Sequence, residues 1–337
     1  MDNSKKHMKI MLKGTSRSFY LTLKFLPRKI RDQISLMYLL ARLSDTIADS
    51  NIEDKEQLIE LLGLYNDRIQ TAKGVLPDFT DLSYQQNNLA ERNLLLNAEV
   101  PIDALEKSTI FKMSDREKIR ECLRIIINGQ TLDLERFTGE SEKSIIAIAS
   151  EEELDEYTYM VAGCVGEFWT HMSLNHLFDL NEENRERFFE KAINFGKALQ
   201  LINILRDIPD DLRMGRCYIP HESLSDHGLI VEDLLDMRNM NKFRPLYESY
   251  VIKAEHYLSD AIEYIKIIPN NQYMLRLSCM LPVLIGQRTL NLLRSENILD
   301  NENTIKVTRS EIKIILRKAI MASISRSRSL KLLKMNK

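Results

Sequence analysis

Two runs of polar residues in apolar surroundings are where this sequence could do chemistry. Tyr38, Arg42, Asp45 and Asp49 follow one another at spacings of four, three and four residues. Those intervals put a phenol, a guanidinium and two carboxylates on one face of an α-helix. Their neighbours Leu36, Met37, Leu39, Leu40, Leu43 and Ile47 are apolar, so the polar groups need partners. An internal ion-pair network headed by Arg42 and Asp45 would supply them. So would a hard divalent cation such as Mg2+, which takes carboxylate oxygens and often shares them with phosphate.

The second run repeats the idea. Gln200, Asn203, Asp207 and Asp211 are spaced three, four and four, with Arg206 beside them and Asp210 adjacent. Leu199, Leu201, Ile202, Ile204 and Leu205 flank them, so a polar stripe on a buried helix is expected. Pro209 lies inside the run and should kink the helix or end it. Surface charges do not need two such stripes. Two facing helices, each with a carboxylate pair, would make a cavity for Mg2+ ions that hold a diphosphate. Arg42 and Arg206 would neutralise its remaining charge. Apolar helices around the cavity would keep water from a carbocation, as ionisation of an allylic diphosphate requires.

The elements that must position these residues read as helices almost throughout. Apolar spacing predicts helices over 16–24, 29–50, 53–73, 82–97, 101–112, 115–138, 152–178, 183–213, 243–267, 273–295 and 309–330. Ser114-x-x-Glu117 and Thr308-x-x-Glu311 resemble capping boxes. Strand-like alternation and Asn-Gly hairpin turns are missing. Breaks at Gly74–Pro77, Gly139–Ser144, Gly215–Pro220 and Pro269–Asn271 look too short to separate domains. The expectation is one all-α domain over 1–337, a helical bundle around a central cavity with a basic helix or tail at about 309–337.

Composition agrees. Among 337 residues, 44% are apolar and only 11 are Gly and 8 Pro, which argues against a loop-rich β fold. Cys122, Cys164, Cys217 and Cys279 form no CxxC pair and have no nearby His at metal-ligand spacing. They read as free thiols of a reducing compartment. The N-terminus has charge but no apolar core of a secretory leader, and no apolar run is long enough to span a bilayer. A cytoplasmic protein is expected.

The net charge of −2 hides an asymmetry. Lys306–Lys337 holds ten Lys/Arg and one Glu, a balance of +9 that leaves −11 for the rest. A solvated terminal helix explains this; so does peripheral contact with an anionic membrane on its inner face. The tail lacks interleaved aromatics, so no nucleic-acid partner is expected. His171, His176 and His256 lack metal-ligand spacing and are assigned no role.

The motifs carrying these residues resemble the squalene/phytoene synthase family from about residue 14 to 318. The matching stretches are SRSFY (16–20), YLLARLSDTIAD (38–49), NGQTLDLERF (128–137), YTYMVAGCVG (157–166), QLINILRDIPDD (200–211) and GRCYIP (215–220). The resemblance implies Mg2+ ligands at Asp45, Asp49, Asp207 and Asp211. It implies diphosphate contacts from Ser16, Arg17, Ser18, Arg42, Gln200, Asn203 and Arg206. It puts Tyr157 in the catalytic tyrosine position, with Tyr38 and Arg42 upstream of the first aspartates. Ala162, Gly163 and Gly166 leave a groove suited to a prenyl tail or to a closely packed helix.

Within the family, CMLPVLIGQRTL (279–290) is more similar to squalene synthases. IKVTR (305–309) sits where those enzymes carry basic residues linked to NADPH, which points to Lys306 and Arg309. No dinucleotide fingerprint accompanies them. Ser278 stands where an aromatic is usual, and no C-terminal membrane anchor of the eukaryotic type is seen. The implied reaction joins two farnesyl diphosphates through presqualene diphosphate to squalene, with NADPH as reductant. Phytoene, dehydrosqualene or presqualene diphosphate are alternative products. A terpene cyclase, a head-to-tail synthase and a non-enzymatic assembly factor of the same fold are the rivals.

Overall fold

The computed structural model describes residues 2–16, 19–50, 55–138, 141–300 and 305–335. Its regular structure is helical apart from one two-residue pairing, so the all-α expectation holds. Packing divides the chain into two compact units, Met1–Glu135 with His171–Asp179, and Arg136–Thr170 with Leu180–Lys337. Two of the junctions fall inside continuous helices, where no linker composition could mark them.

The first unit is built on α1 (Asp2–Thr15), α2 (Phe19–Phe25), α3 (Arg28–Ala48), α4 (Lys55–Thr71), α5 (Thr80–Gln85), α6 (Leu89–Leu96), α7 (Glu99–Lys107) and α8 (Met113–Arg136). Its centre is α3, whose Ile30, Leu36, Leu39, Leu40, Leu43 and Ile47 are at most 1% exposed. This leaves the face carrying Tyr38, Arg42 and Asp45 turned away from the core. Helix α1 is absent from the sequence expectation. It forms because Met11, Leu12 and Thr15 fall on one face and are buried there.

The second unit starts with strand β1 (Ile146–Ala147) and α9 (Glu151–Thr158), then a single π turn (Tyr159–Gly163) and α10 (Cys164–His176), whose last residues belong to the first unit. It continues with α11 (Glu182–Arg213), strand β2 (Arg216–Cys217), α12 (His221–Asp226), two 3-10 turns, α13 (Met240–Ile267), α14 (Tyr273–Ser295), α15 (Arg309–Ser323) and α16 (Arg326–Met335). Strands β1 and β2 pair in parallel, Ile146 against Arg216 and Ala147 against Cys217. This short pairing, not foreseen from the sequence, ties the approach to α9 onto the turn after α11.

The long helices α11 and α14 match the expected boundaries to within a residue. Two expected helices are each broken in two. The stretch 82–97 divides at Gln86–Asn88, where extended backbone leads to Asn88, whose side chain accepts from Ala90 N–H and caps α6. The stretch 309–330 divides at Ile324–Ser325, between α15 and α16. The capping box Thr308–Glu311 is formed. Ser114 is not a cap: α8 starts one residue before it, and Asp115 reaches back to Lys112 N–H at 3.2 Å.

Helix α11 continues past Pro209 to Arg213. Proline has no N–H, so the Leu205 carbonyl loses its helical donor. Buried Tyr247 of α13 replaces it, donating its hydroxyl to the Leu205 oxygen at 3.2 Å. A helix that the sequence alone could have ended here is thus carried on to Asp211 by a side chain from another element.

Candidate active site

Arg42 organises the first cluster. It donates to Asp45 Oδ2 at 2.7 Å and to Glu91 Oε1 of α6 at 2.5 Å. Gln130 of α8 donates to the other Asp45 oxygen at 3.0 Å. Glu91 is itself held by Asn88 Nδ2 at 2.9 Å. Burial alone would lower the Arg42 pKa, but Asp45 and Glu91 outweigh it and raise it. The ion pair foreseen between Arg42 and Asp45 is therefore formed. Tyr38 donates to the Thr15 carbonyl at 3.0 Å and stacks on Phe19 at 5.6 Å between centroids. Asp49 is not inside α3 but caps it, its N–H on the Asp45 carbonyl at 2.9 Å.

In the second unit Arg206 clasps Asp207 with two bonds, Nε to Oδ1 at 2.7 Å and Nη2 to Oδ2 at 2.5 Å. Burial would lower the Arg206 pKa; Asp207, with Asp211 and Asp210 beyond it, raises it. Asp210 pairs with Arg213. Gln200, Asp207 and Asp211 are half-buried and Asn203 is exposed, opposite the buried Leu201, Ile202, Ile204, Leu205, Ile208 and Leu212. The stripe therefore lies on an accessible face, not on a helix buried all round. This corrects the sequence reading: apolar flanks bury only their own side of an amphipathic helix.

Tyr157 lies on α9. Its ring stacks on Tyr218 at 4.8 Å and its hydroxyl meets the Tyr218 hydroxyl at 3.4 Å. Phe137 closes on Tyr218 edge-on at 5.1 Å. Tyr218 follows Cys217, whose thiol is pushed up to about 12 by burial, with Asp211 adding to the rise. The turn 215–220 thus carries Tyr218 from the second aspartate run to Tyr157. Helix α9 is anchored at two carboxylates. Asp155 takes Lys197 at 2.7 Å and Tyr257 at 3.2 Å. Glu151 takes Lys253 at 2.7 Å, Ser223 at 3.1 Å and Tyr250.

The remaining expected residues are more scattered. Ser16 is buried with its hydroxyl on the Leu12 carbonyl, and Arg17 and Ser18 lie outside the described residues. Lys306 and Arg309 are exposed around the α15 cap. Between them Thr308 N–H donates to Glu311 Oε2 at 2.9 Å, holding that carboxyl down at about 2. The two cations suit dinucleotide phosphates in charge, while Glu311 fills the helix start. The glycine groove is tight helix packing: a Cβ at Gly166 would come 2.0 Å from the Ala192 carbonyl oxygen of α11. Gly196 meets Ala162 likewise, at 2.1 Å.

Three residues escape sequence reasoning. Glu91 and Gln130 complete the Asp45 cluster, and Tyr218 completes the tyrosine pair. Gln130 and Asp133 lie one helical turn apart on α8 and are both 8% exposed, but polar residues at that interval are common on helices and single out neither. His176 also has a place: it meets fully buried Asp115 at 2.7 Å, a structural contact within the first unit.

The donor chemistry fits Mg2+ with a diphosphate. Carboxylate and amide oxygens are its hard ligands, and it usually keeps substrate phosphates in its shell. Among the described residues no three His, Cys, Asp or Glu side chains gather into a cage, so the chain offers pairs that substrate oxygens would complete. Beside Asp45, Arg42 Nε and Gln130 Oε1 are buried without a hydrogen-bond partner among the described residues. These are a donor suited to a phosphate oxygen and an acceptor suited to a cation.

The squalene/phytoene synthase family model matches residues 12–311. The chain belongs to that family. It is 30% identical over 229 residues to the bifunctional lycopene cyclase/phytoene synthase of Podospora anserina, covering 66% of this chain and 36% of that one. It is 26% identical over 265 residues to squalene synthase ERG9 of Candida albicans, covering 77% and 55%. The matched chain thus spans about a third to a half of these relatives. Its fold is that of solved squalene synthases: TcSQS with the ligand BPH1237 superposes with a TM-score of 0.79 at 19% identity, over 100% of this chain and 90% of that one.

Proposed function

We propose that this protein condenses two farnesyl diphosphates head to head, through presqualene diphosphate, to squalene. The reading is carried by the family match over 12–311 together with an arginine–aspartate pair in each unit, Arg42 with Asp45 and Arg206 with Asp207. The family is generally Mg2+-dependent. Bound Mg2+ would supply Lewis-acid charge for departure of diphosphate, on Asp45, Asp49, Asp207 and Asp211. With metal on the carboxylates, Arg42 and Arg206 would be free to pair with phosphate oxygens, exchanging one anionic partner for another. Arg17 and Ser18, with Gln200 and Asn203, are assigned to the same diphosphates. Tyr157 Oη relays the proton lost when the cyclopropane closes, and the departed diphosphate, the base formed in the same step, keeps it. NADPH is the proposed reductant, with its phosphates on Lys306 and Arg309.

A second reading has its own observation. Relatives at about 30% identity are bifunctional lycopene cyclase/phytoene synthases, matched over about a third of their length, which favours condensation of geranylgeranyl diphosphate without reduction. Incubation with farnesyl or geranylgeranyl diphosphate and Mg2+, with and without NADPH, separates the two. Squalene formed only with farnesyl diphosphate and NADPH supports the first. Phytoene from the longer substrate alone replaces it with the second, and no condensation of either sinks both.

A further inference from the structure

The outward face of α15 mixes cations with large apolar groups. Lys313, Ile314, Arg317, Lys318, Met321 and Ile324 fall at intervals of one helical face. Ile314, Met321 and Ile324 are 51%, 64% and 73% exposed. A water-facing helix normally carries polar groups at such positions, and contiguous exposed apolar side chains mark a contact surface. The only acid between Lys306 and Lys337 is Glu311, and it is turned onto Arg288 and Thr308. Past Ile324 the same surface continues as an open groove of about 940 Å³, where Lys331 and Lys334 stand beside Leu330 and Met335.

We infer that this face docks the protein on an anionic lipid bilayer. Ile314, Met321 and Ile324 enter the boundary between headgroups and acyl chains, as the apolar side of an interfacial helix does. The stems of Lys313, Arg317 and Lys318 cover apolar surface while their charged ends reach lipid phosphates. Charge complementarity selects this occupant. A second copy would set +9 against +9, and an RNA would leave the apolar side chains without a partner. The remaining −11 of the chain is repelled by the same lipid, which fixes the orientation.

The inference stands apart from the identity of the prenyl product, and its test needs no catalysis. The full chain is floated with vesicles of phosphatidylglycerol and phosphatidylcholine in equal parts, and with phosphatidylcholine alone. Recovery with the first and not the second is expected. Replacing Lys313, Arg317 and Lys318 by Gln should lower partitioning about fivefold for each cation removed. Met321→Ser with Ile324→Ser should lower it even at low salt, which a purely electrostatic attraction would not. Far-UV circular dichroism and elution volume check that both variants fold. Equal recovery with both vesicle types, no recovery with either, or unaltered partitioning of both variants overturns the inference. So does a dimer that Met321→Ser with Ile324→Ser dissolves while lipid binding is unchanged.

Discussion

Asp45 and Asp207 each face an arginine of their own helix, and in each pair the carboxylate gives up a short bond before it can serve a cation. Asn in place of Asp keeps the shape but removes the charge that a divalent cation needs, and leaves one acceptor oxygen where Asp45 and Asp207 each use two. Asp45→Asn and Asp207→Asn should each reduce turnover at least about a hundredfold, the loss of several kcal/mol of metal-borne stabilisation. Initial rates with farnesyl diphosphate measure this, with near-UV circular dichroism to verify packing. Near-normal rates in both would sink the metal assignment. The aspartates were legible because four-residue spacing on a helix is a local property. Glu91 and Gln130 were not, since a partner 49 or 85 residues away in the chain is chosen by tertiary packing.

Elements carry these residues only as well as neighbouring elements repair their defects. Pro209 would orphan the Leu205 carbonyl, and Tyr247 answers it. Tyr247→Phe removes the hydroxyl and leaves a buried acceptor unpaired, which should cost about 1–3 kcal/mol in denaturant unfolding. It should also weaken Mg2+ binding through Asp207 and Asp211, whose stretch of α11 follows the defect. Glycines give a second contrast. Gly166→Ala drives a Cβ into the Ala192 carbonyl of α11 and should cost more than about 1 kcal/mol, whereas Gly63→Ala on α4 meets nothing and should gain about 0.5–1 kcal/mol. Equal effects at the two positions would show that the close approach of α10 to α11 is not under constraint. The long helices α11, with one buried stripe, and α14, buried on nearly all sides, were readable almost to the residue. The π turn at 159–163 and the break at 324–325 were not, because no local residue signals them.

At the scale of the molecule, the basic tail is where sequence and structure part most clearly. As a run of charge it reads equally as a solvated terminal helix or as a contact for an anionic membrane. In the fold, α15 and α16 are part of the second unit. Arg276 of α14, fully buried, donates to the Ser323 carbonyl at 2.8 Å and to the Pro269 carbonyl at 2.8 Å. It thereby covers the ends of α13 and α15 with one guanidinium, a favourable place for a cation. Arg326 adds a bond to the Ile268 carbonyl at 3.1 Å, and Gln287 donates to the Leu333 carbonyl at 2.9 Å. Removing residues 309–337 would strip Arg276 of the Ser323 carbonyl and expose the α14 face beneath. Returning that apolar face to water costs about 25 cal/mol for each Å², so a few hundred Å² removes a large share of the stability of an ordinary domain. The truncated chain should therefore lose its cooperative unfolding transition or shift it far down in denaturant, as followed by far-UV circular dichroism. A truncated protein that unfolds at the full-length midpoint would mean that Arg276 finds other partners and that the tail is an appendage after all. The cause lies in Arg276, 47 residues before the carbonyl it holds: the charges of the tail are visible in sequence, but the buried cation that docks it is visible only in the fold.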